Sequence, residues 1–275
     1  MPELPEVETV IRTLEYQMGN PVIENIQILY EKTIHQDVDM FVKALLQEQI
    51  IAYHRVGKYL IFECNKVYFI AHMRMEGKFY LQAPEEPYDK HVHVIFSLNN
   101  GKQLRYHDTR KFGRMYVYAK DRDYHELEVF KNIGKDVFDE SLQGIDLYKR
   151  SRNKTYTLKQ FLLDQKNLAG VGNIYADEIC FALSYHPETK ISHLSKKDFE
   201  QLLIETRRIL TGAIKSGGTT IRSYTSSLGV DGRFQLKLKV HERAGEKCSR
   251  CGHTIEKIKV AGRGTGVCKS CQKRK

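Results

Sequence analysis

The sequence predicts an α+β protein: a two-sheet β domain with flanking helices, then a helical region, then a small four-cysteine finger. Three observations carry this reading. The first 131 residues hold seven short runs rich in Val, Ile, Phe and Tyr, residues 158–215 read in helical periods, and four cysteines near the C-terminus stand in metal-ligand spacing. With 275 residues, 41% hydrophobic and 28% charged, the chain is long enough for two ordinary domains. At that length roughly three quarters of the unfolded surface can be buried without disulfide support.

In order, strands are expected over 22–30, 49–56, 59–63, 66–72, 78–82, 91–98 and 114–118, with Asn99-Asn100-Gly101 as a hairpin turn. Helices are expected over 6–18 and, after Asp37 as N-cap, over 38–47. Residues 132–148 are polar and turn-rich and read as a linker. Helical segments follow over 158–165 and 174–183, and a capping box at Ser195 and Asp198 opens a long helix over 196–215. The Gly/Ser/Thr-rich stretch 219–236 reads as a mobile loop. The domains are therefore 1–131, a linker 132–148, a helical domain 149–236 and a finger 237–275.

No apolar run approaches the roughly 20 residues that cross a bilayer. The N-terminus, MPELPEVE, opens with acids instead of a basic and then apolar segment, so a cytosolic protein without a membrane partner is expected. The formal charge is +10, and residues 237–275 carry almost all of it, with 12 basic and three acidic side chains. Such asymmetry fits either a solvated basic tail or a polyanionic partner such as nucleic acid.

Cys248 and Cys251, then Cys268 and Cys271 sixteen residues on, form two C-x2-C pairs. Thiolates two residues apart on a tight turn share one tetrahedral zinc, and four of them leave no open position, so this Zn2+ is structural. A disulfide framework is the alternative, and it belongs to oxidising compartments. Cys64 and Cys180 lie in apolar stretches and read as core thiols.

At the other end, Met1-Pro2 is a context from which the initiator methionine is normally removed, leaving Pro2 as a secondary amine. A terminal amine with pKa near 8 is about a tenth deprotonated at pH 7. Its attack on an aldehyde-level carbon gives a cationic iminium, a strong electron sink. Glu3 beside it suits a general acid if its pKa is raised. The same residues also suit an ordinary helix start, with Pro5 in the first turn and Glu6 and Glu8 near the positive end of the dipole.

PELPEVETV at the terminus, GNIYADE in the middle and a four-cysteine finger carrying AGRGT together resemble the bacterial formamidopyrimidine-DNA glycosylases, in that family's order and spacing across the whole chain. The resemblance implies that Pro2 is the nucleophile, Glu3 the acid, Glu6 a supporting buried glutamate and Lys58 a phosphate-binding lysine near the nucleophile. It implies a helix–two-turn–helix motif around 168–183, and base excision from flipped nucleotides followed by strand cleavage on both sides of the lesion. It implies DNA contacts at His72, Lys159, Asn173 and Arg263, and three residues, Met75, Arg110 and Phe112, that fill the gap left by the flipped base. Glu178 matches a further family position near the site, and the loop 219–236 matches one that closes over the lesion. The implied partner is damaged double-stranded DNA, bound by a monomer at the nucleoid.

Read without the resemblance, Lys58 is a surface lysine on a hairpin turn, His72 a structural histidine, Met75 a core residue and Asn173 a helix N-cap. The chain also departs from the family. His241 stands where a phosphate-contacting tyrosine is common, Gly266-Val267 replaces a histidine–aromatic pair and so is expected to loosen the hairpin, and the linker lacks its usual proline. The endonuclease VIII branch, which acts on oxidised pyrimidines, has glycine at the position of Leu4 and lacks the Met75, Arg110 and Phe112 set. A zinc-finger protein that only binds nucleic acid is the third reading.

Overall fold

A computed structural model describes residues 1–219 and 234–275. Most of the loop expected over 219–236 therefore lies outside the described residues. The described residues fall into two compact units, 1–131 and 132–219 with 234–275.

In the first unit, helix α1 (Leu4–Met18) precedes β1 (Ile23–Ile28), α2 (Val38–Leu45), β2 (Ile50–Val56), β3 (Tyr59–Cys64), β4 (Val67–His72), β5 (Lys78–Gln82), β6 (Val92–Leu98), β7 (Gln103–His107) and β8 (Arg114–Ala119). The strands build two four-stranded antiparallel sheets, β1-β6-β7-β5 and β2-β3-β4-β8. Phe62 and Phe69 of one sheet stack at 4.9 Å, and Phe69 meets Phe96 of the other at 5.1 Å, so aromatic rings fill the space between the sheets. α1 buries Val7, Val10, Ile11, Leu14 and Met18, a stripe at i, i+3 and i+4 spacing, against this core. Asp37 caps α2 by accepting from the Met40 N–H at 2.9 Å.

β7 is the strand that sequence reading misses. Its centre is Arg105, fully buried, whose guanidinium donates to Gln103 Oε1 and to the carbonyls of Ala83, Pro84 and Glu86. A charge inside a short strand breaks the apolar alternation that marks the others, and only the folded chain supplies its acceptors.

The second unit holds α3 (Gly144–Ser151), α4 (Leu158–Leu163), α5 (Asn173–Ala182) and α6 (Lys196–Lys215), then the antiparallel hairpin β9 (Glu256–Val260) and β10 (Arg263–Val267). The stretch 132–148 is not a loose linker: Val137, Leu142 and Leu147 are buried and α3 begins inside it, capped by Gln143. α6 opens with the Ser195 and Asp198 capping box. Cys64 and Cys180 are fully buried, and burial raises the Cys64 thiol pKa to about 12.

Candidate functional site

The candidate site of the first unit is built by the start of α1. Glu3 and Glu6 are 2% and 3% exposed, and the Glu3 N–H donates to Glu6 Oε2 at 2.9 Å in a capping box. Two carboxylates are thus held out of water at the positive end of a helix dipole, directly after a half-buried Pro2. One turn on, Glu8 accepts from Arg55 Nε at 2.7 Å, and Arg55 also donates to the Gly57 carbonyl. This chain of contacts ties α1 to the β2–β3 turn that carries Lys58. Lys58 is only 6% exposed, so it is no ordinary surface lysine.

His72 ends β4, buried, with its ring edge-on to Tyr59 at 4.4 Å. The Arg74 N–H donates to its Nδ1 at 3.0 Å, which leaves the proton of the neutral ring on Nε2. Burial, with the charges of Arg74 and Lys58, holds the His72 pKa down at about 3. A neutral Nε2–H donor beside two cations suits a phosphate oxygen.

Two loops present the three expected gap-filling residues. Met75, half-buried and so not a core residue, lies on the turn between β4 and β5; Arg110 and Phe112 lie exposed between β7 and β8, with the guanidinium 4.9 Å from the Phe112 ring centre. Thr109 hydrogen-bonds Glu76, which joins the two loops. Asp108, fully buried, accepts from the N–H groups of Arg110, Phe112 and Gly113 at 2.8 to 3.0 Å and shapes the second loop. Gly77 and Gly113 both press on the Tyr106 hydroxyl, where a Cβ would stand 2.2 and 1.6 Å away, so neither position has room for a side chain. Asp108 is not among the expected site residues, although residues 108–113 read as a polar turn that an Asp opens.

In the second unit, Gly172 and not Asn173 is the N-cap of α5; Asn173 is its first residue, and Nδ2 donates to the Gly264 carbonyl at 3.2 Å. Asn173, His241, Lys257 and Gly264 line an open cleft of about 460 Å³. Glu178 is buried, and its carboxylate accepts from three successive N–H groups, Lys239, Val240 and His241, at 2.9 to 3.0 Å. Burial raises its pKa against the pull of those donors.

Lys159, expected among the DNA contacts, is buried in the described structure. It is 0% exposed, 2.6 Å from Asp177 and 2.7 Å from Thr265 Oγ1. His241 is buried as well, its Nδ1 on Asp177 at 2.7 Å. Gly266 does not loosen the hairpin: its N–H reaches Asp177, and a Cβ there would stand 1.9 Å from the Val240 carbonyl oxygen. The bare Cα lets β10 dock flush.

At the finger, the Sγ atoms of Cys248, Cys251, Cys268 and Cys271 all lie within 4.8 Å of one another. Cys248–Cys271 and Cys251–Cys268 separations of 3.9 and 3.4 Å exclude disulfides and bracket the ~3.8 Å edge of a tetrahedron with ~2.3 Å Zn–S bonds. The Arg250 N–H donates to Cys248 Sγ at 3.4 Å. The four residues fit a single structural zinc. Arg263 opens β10, exposed, directly after the two-residue turn Ala261-Gly262.

A β-sandwich with paired carboxylates at its first helix, a helical region and a four-sulfur finger define a zinc-bearing DNA glycosylase. The family models agree with each part: the formamidopyrimidine-DNA glycosylase N-terminal domain over residues 1–115, the H2TH domain of the same enzymes over 133–225 and the zinc finger found in FPG and IleRS over 245–274. The chain belongs to the formamidopyrimidine-DNA glycosylase family. It is 42% identical to the formamidopyrimidine-DNA glycosylases of Bacillus subtilis, over 100% of both chains, and of Oceanobacillus iheyensis, over 100% of this chain and 99% of that one. Among solved structures, a Lactococcus lactis Fpg variant bound to Fapy-dG DNA and the Fpg of that organism bound to abasic-site DNA each match with TM-score 0.91 at 40% identity, over 98% of this chain and 99% of theirs. No helix among the described residues is long and apolar enough to cross a membrane.

Proposed function

We propose that Pro2, freed by removal of Met1, attacks C1′ of a flipped oxidised purine nucleotide with its secondary amine, and that Glu3 delivers the proton the departing base requires. The nitrogen then holds the sugar as an iminium, whose electron-withdrawing pull lets the C2′ proton leave and the 3′ and then the 5′ phosphate be eliminated. The protein is a bifunctional glycosylase and abasic-site lyase for 8-oxoguanine and formamidopyrimidines. The observation that carries this reading is the buried Glu3–Glu6 pair at the base of α1, immediately after the one residue able to offer such an amine.

Lys58 and His72 hold the phosphate of the damaged nucleotide. Met75, Arg110 and Phe112 enter the gap left by the flipped base, with Arg110 donating to the orphaned cytosine. Asn173 and Arg263 grip the backbone, and Glu6 and Glu178 support the two sites. The partner is damaged duplex DNA, engaged by a monomer in the cytoplasm, at the nucleoid when bound.

Release of 8-oxoguanine opposite cytosine, compared with release of thymine glycol, tests the substrate. Preference for 8-oxoguanine is expected. Preference for thymine glycol assigns the chain to the pyrimidine-specific branch, and release of neither reduces it to a binder.

A further inference from the structure

We propose that Lys159 and Asp177 are positioning residues: a buried strut between α4, α5 and β10 that sets where Arg263 and the tip of the finger meet DNA. The proposal rests on the DNA-binding reading of the finger.

Both side chains are 0% exposed, and each serves more than one chain segment. The Lys159 ammonium donates to Asp177 Oδ1 at 2.6 Å, to Thr265 Oγ1 at 2.7 Å and to the Gly264 carbonyl at 3.4 Å. Asp177 Oδ2 accepts from His241 Nδ1 at 2.7 Å and from the Gly266 N–H at 3.2 Å. Three successive residues of β10 are thereby fixed by one ion pair. The chain continues to the tip: Thr265 Oγ1 donates to the Arg263 carbonyl at 3.1 Å, and Asn173 shares the Gly264 carbonyl.

A buried ion pair contributes little net stability, because desolvation offsets most of the attraction; its recurrent use is to select one geometry over others. Here the pair selects the register of a short two-stranded hairpin. β9 and β10 are five residues each, too short to hold a position without outside contacts. The zinc fixes the cysteine end of that hairpin, and the strut fixes the arginine end.

The test is a double-mutant cycle on duplex DNA holding a tetrahydrofuran abasic analogue. One arm is the Lys159→Met/Asp177→Asn pair, which removes both charges at nearly constant volume. The other is Thr265→Val, which cuts the link to Arg263 and leaves the ion pair in place. Either is expected to weaken binding about tenfold and to lower the salt slope by about one phosphate contact, while zinc content and the single-turnover rate at saturating enzyme stay near wild type. Added to Arg263→Ala, either is expected to cost almost nothing more, since both act through the same side chain.

Full additivity with Arg263→Ala, or unchanged affinity in Thr265→Val, overturns the strut while leaving the finger's DNA role intact. Unchanged affinity in Arg263→Ala overturns that role and the strut with it. If the charge-pair variant loses zinc or fails to fold, Thr265→Val alone decides.

Discussion

The Glu3 N–H donates to Glu6 Oε2 at 2.9 Å, so the carboxylate that closes the first turn of α1 also fixes the backbone one residue after the proposed nucleophile. Both residues are buried, and the α1 stripe from Val7 to Met18 anchors that turn in the sandwich core. The position of Pro2 is therefore inherited from core packing, through the capping box that joins Glu3 and Glu6.

Glu6→Ala removes the acceptor and leaves a buried N–H without its partner, whereas Glu6→Gln keeps a carbonyl oxygen there. Glu6→Ala is expected to lose about 1 kcal/mol of stability and on the order of 100-fold in the single-turnover rate, as a small displacement of a reacting group does. Glu6→Gln should recover most of the stability and part of the rate. Equal rates in the two variants would show that the contact does not position the amine.

His72 gives a pH signature. Its pKa is about 3 in the folded chain against 6.5 in the unfolded one. Between those values the unfolded chain binds a proton that the folded chain does not. This contribution to stability is complete above pH 6.5 and falls away as the pH drops, by at most about 1.4 kcal/mol per unit. Urea midpoints at pH 4.5 and 7.5 should differ less in His72→Gln than in wild type; an undiminished difference contradicts a neutral His72.

Asp108→Ala leaves the N–H groups of Arg110, Phe112 and Gly113 without their acceptor and unshapes the loop that enters the helix gap. Excision of 8-oxoguanine, which requires flipping, should fall roughly 10- to 100-fold, in line with a loss of about 1–3 kcal/mol from unmet donors. Cleavage of a preformed abasic site should fall less. A uniform loss across both substrates speaks against a flipping role.

Zinc removal should act on the second unit alone, since all four cysteines belong to it. Chelation should abolish DNA binding and release the cysteine end of the β9–β10 hairpin, while the thermal transition of the sandwich persists. Retained affinity in the metal-free protein removes the finger from the interface.

The elements legible in the sequence are those governed by local pattern: seven of the strands by their apolar runs, α2 and α6 by their caps, and the zinc site by cysteine spacing. The residues it concealed are those whose meaning depends on distant partners. Arg105 hides β7 because its acceptors at 83–86 come together with it only in the sheet. The burial of Lys159 is not legible locally, because its partner Asp177 lies 18 positions away and Thr265 lies 106 away. Asp177 itself carried a usable signal. A carboxylate inside the apolar run YADEICFA is buried only when paired, but the sequence does not say with what. Gly266 misled for the opposite reason: a missing side chain suggests slack where the folded chain uses it for contact.

Borohydride reduction during turnover of 8-oxoguanine duplex is the direct measurement for the amine mechanism. The zinc-loaded protein lacking Met1 should become covalently joined to DNA, with the adduct mass on the peptide that begins at Pro2. Pro2→Gly retains a primary amine and should trap more slowly, while acetylation confined to the N-terminal nitrogen should abolish both trapping and strand cleavage. Undiminished cleavage after that acetylation, or an adduct on any other residue, contradicts the account.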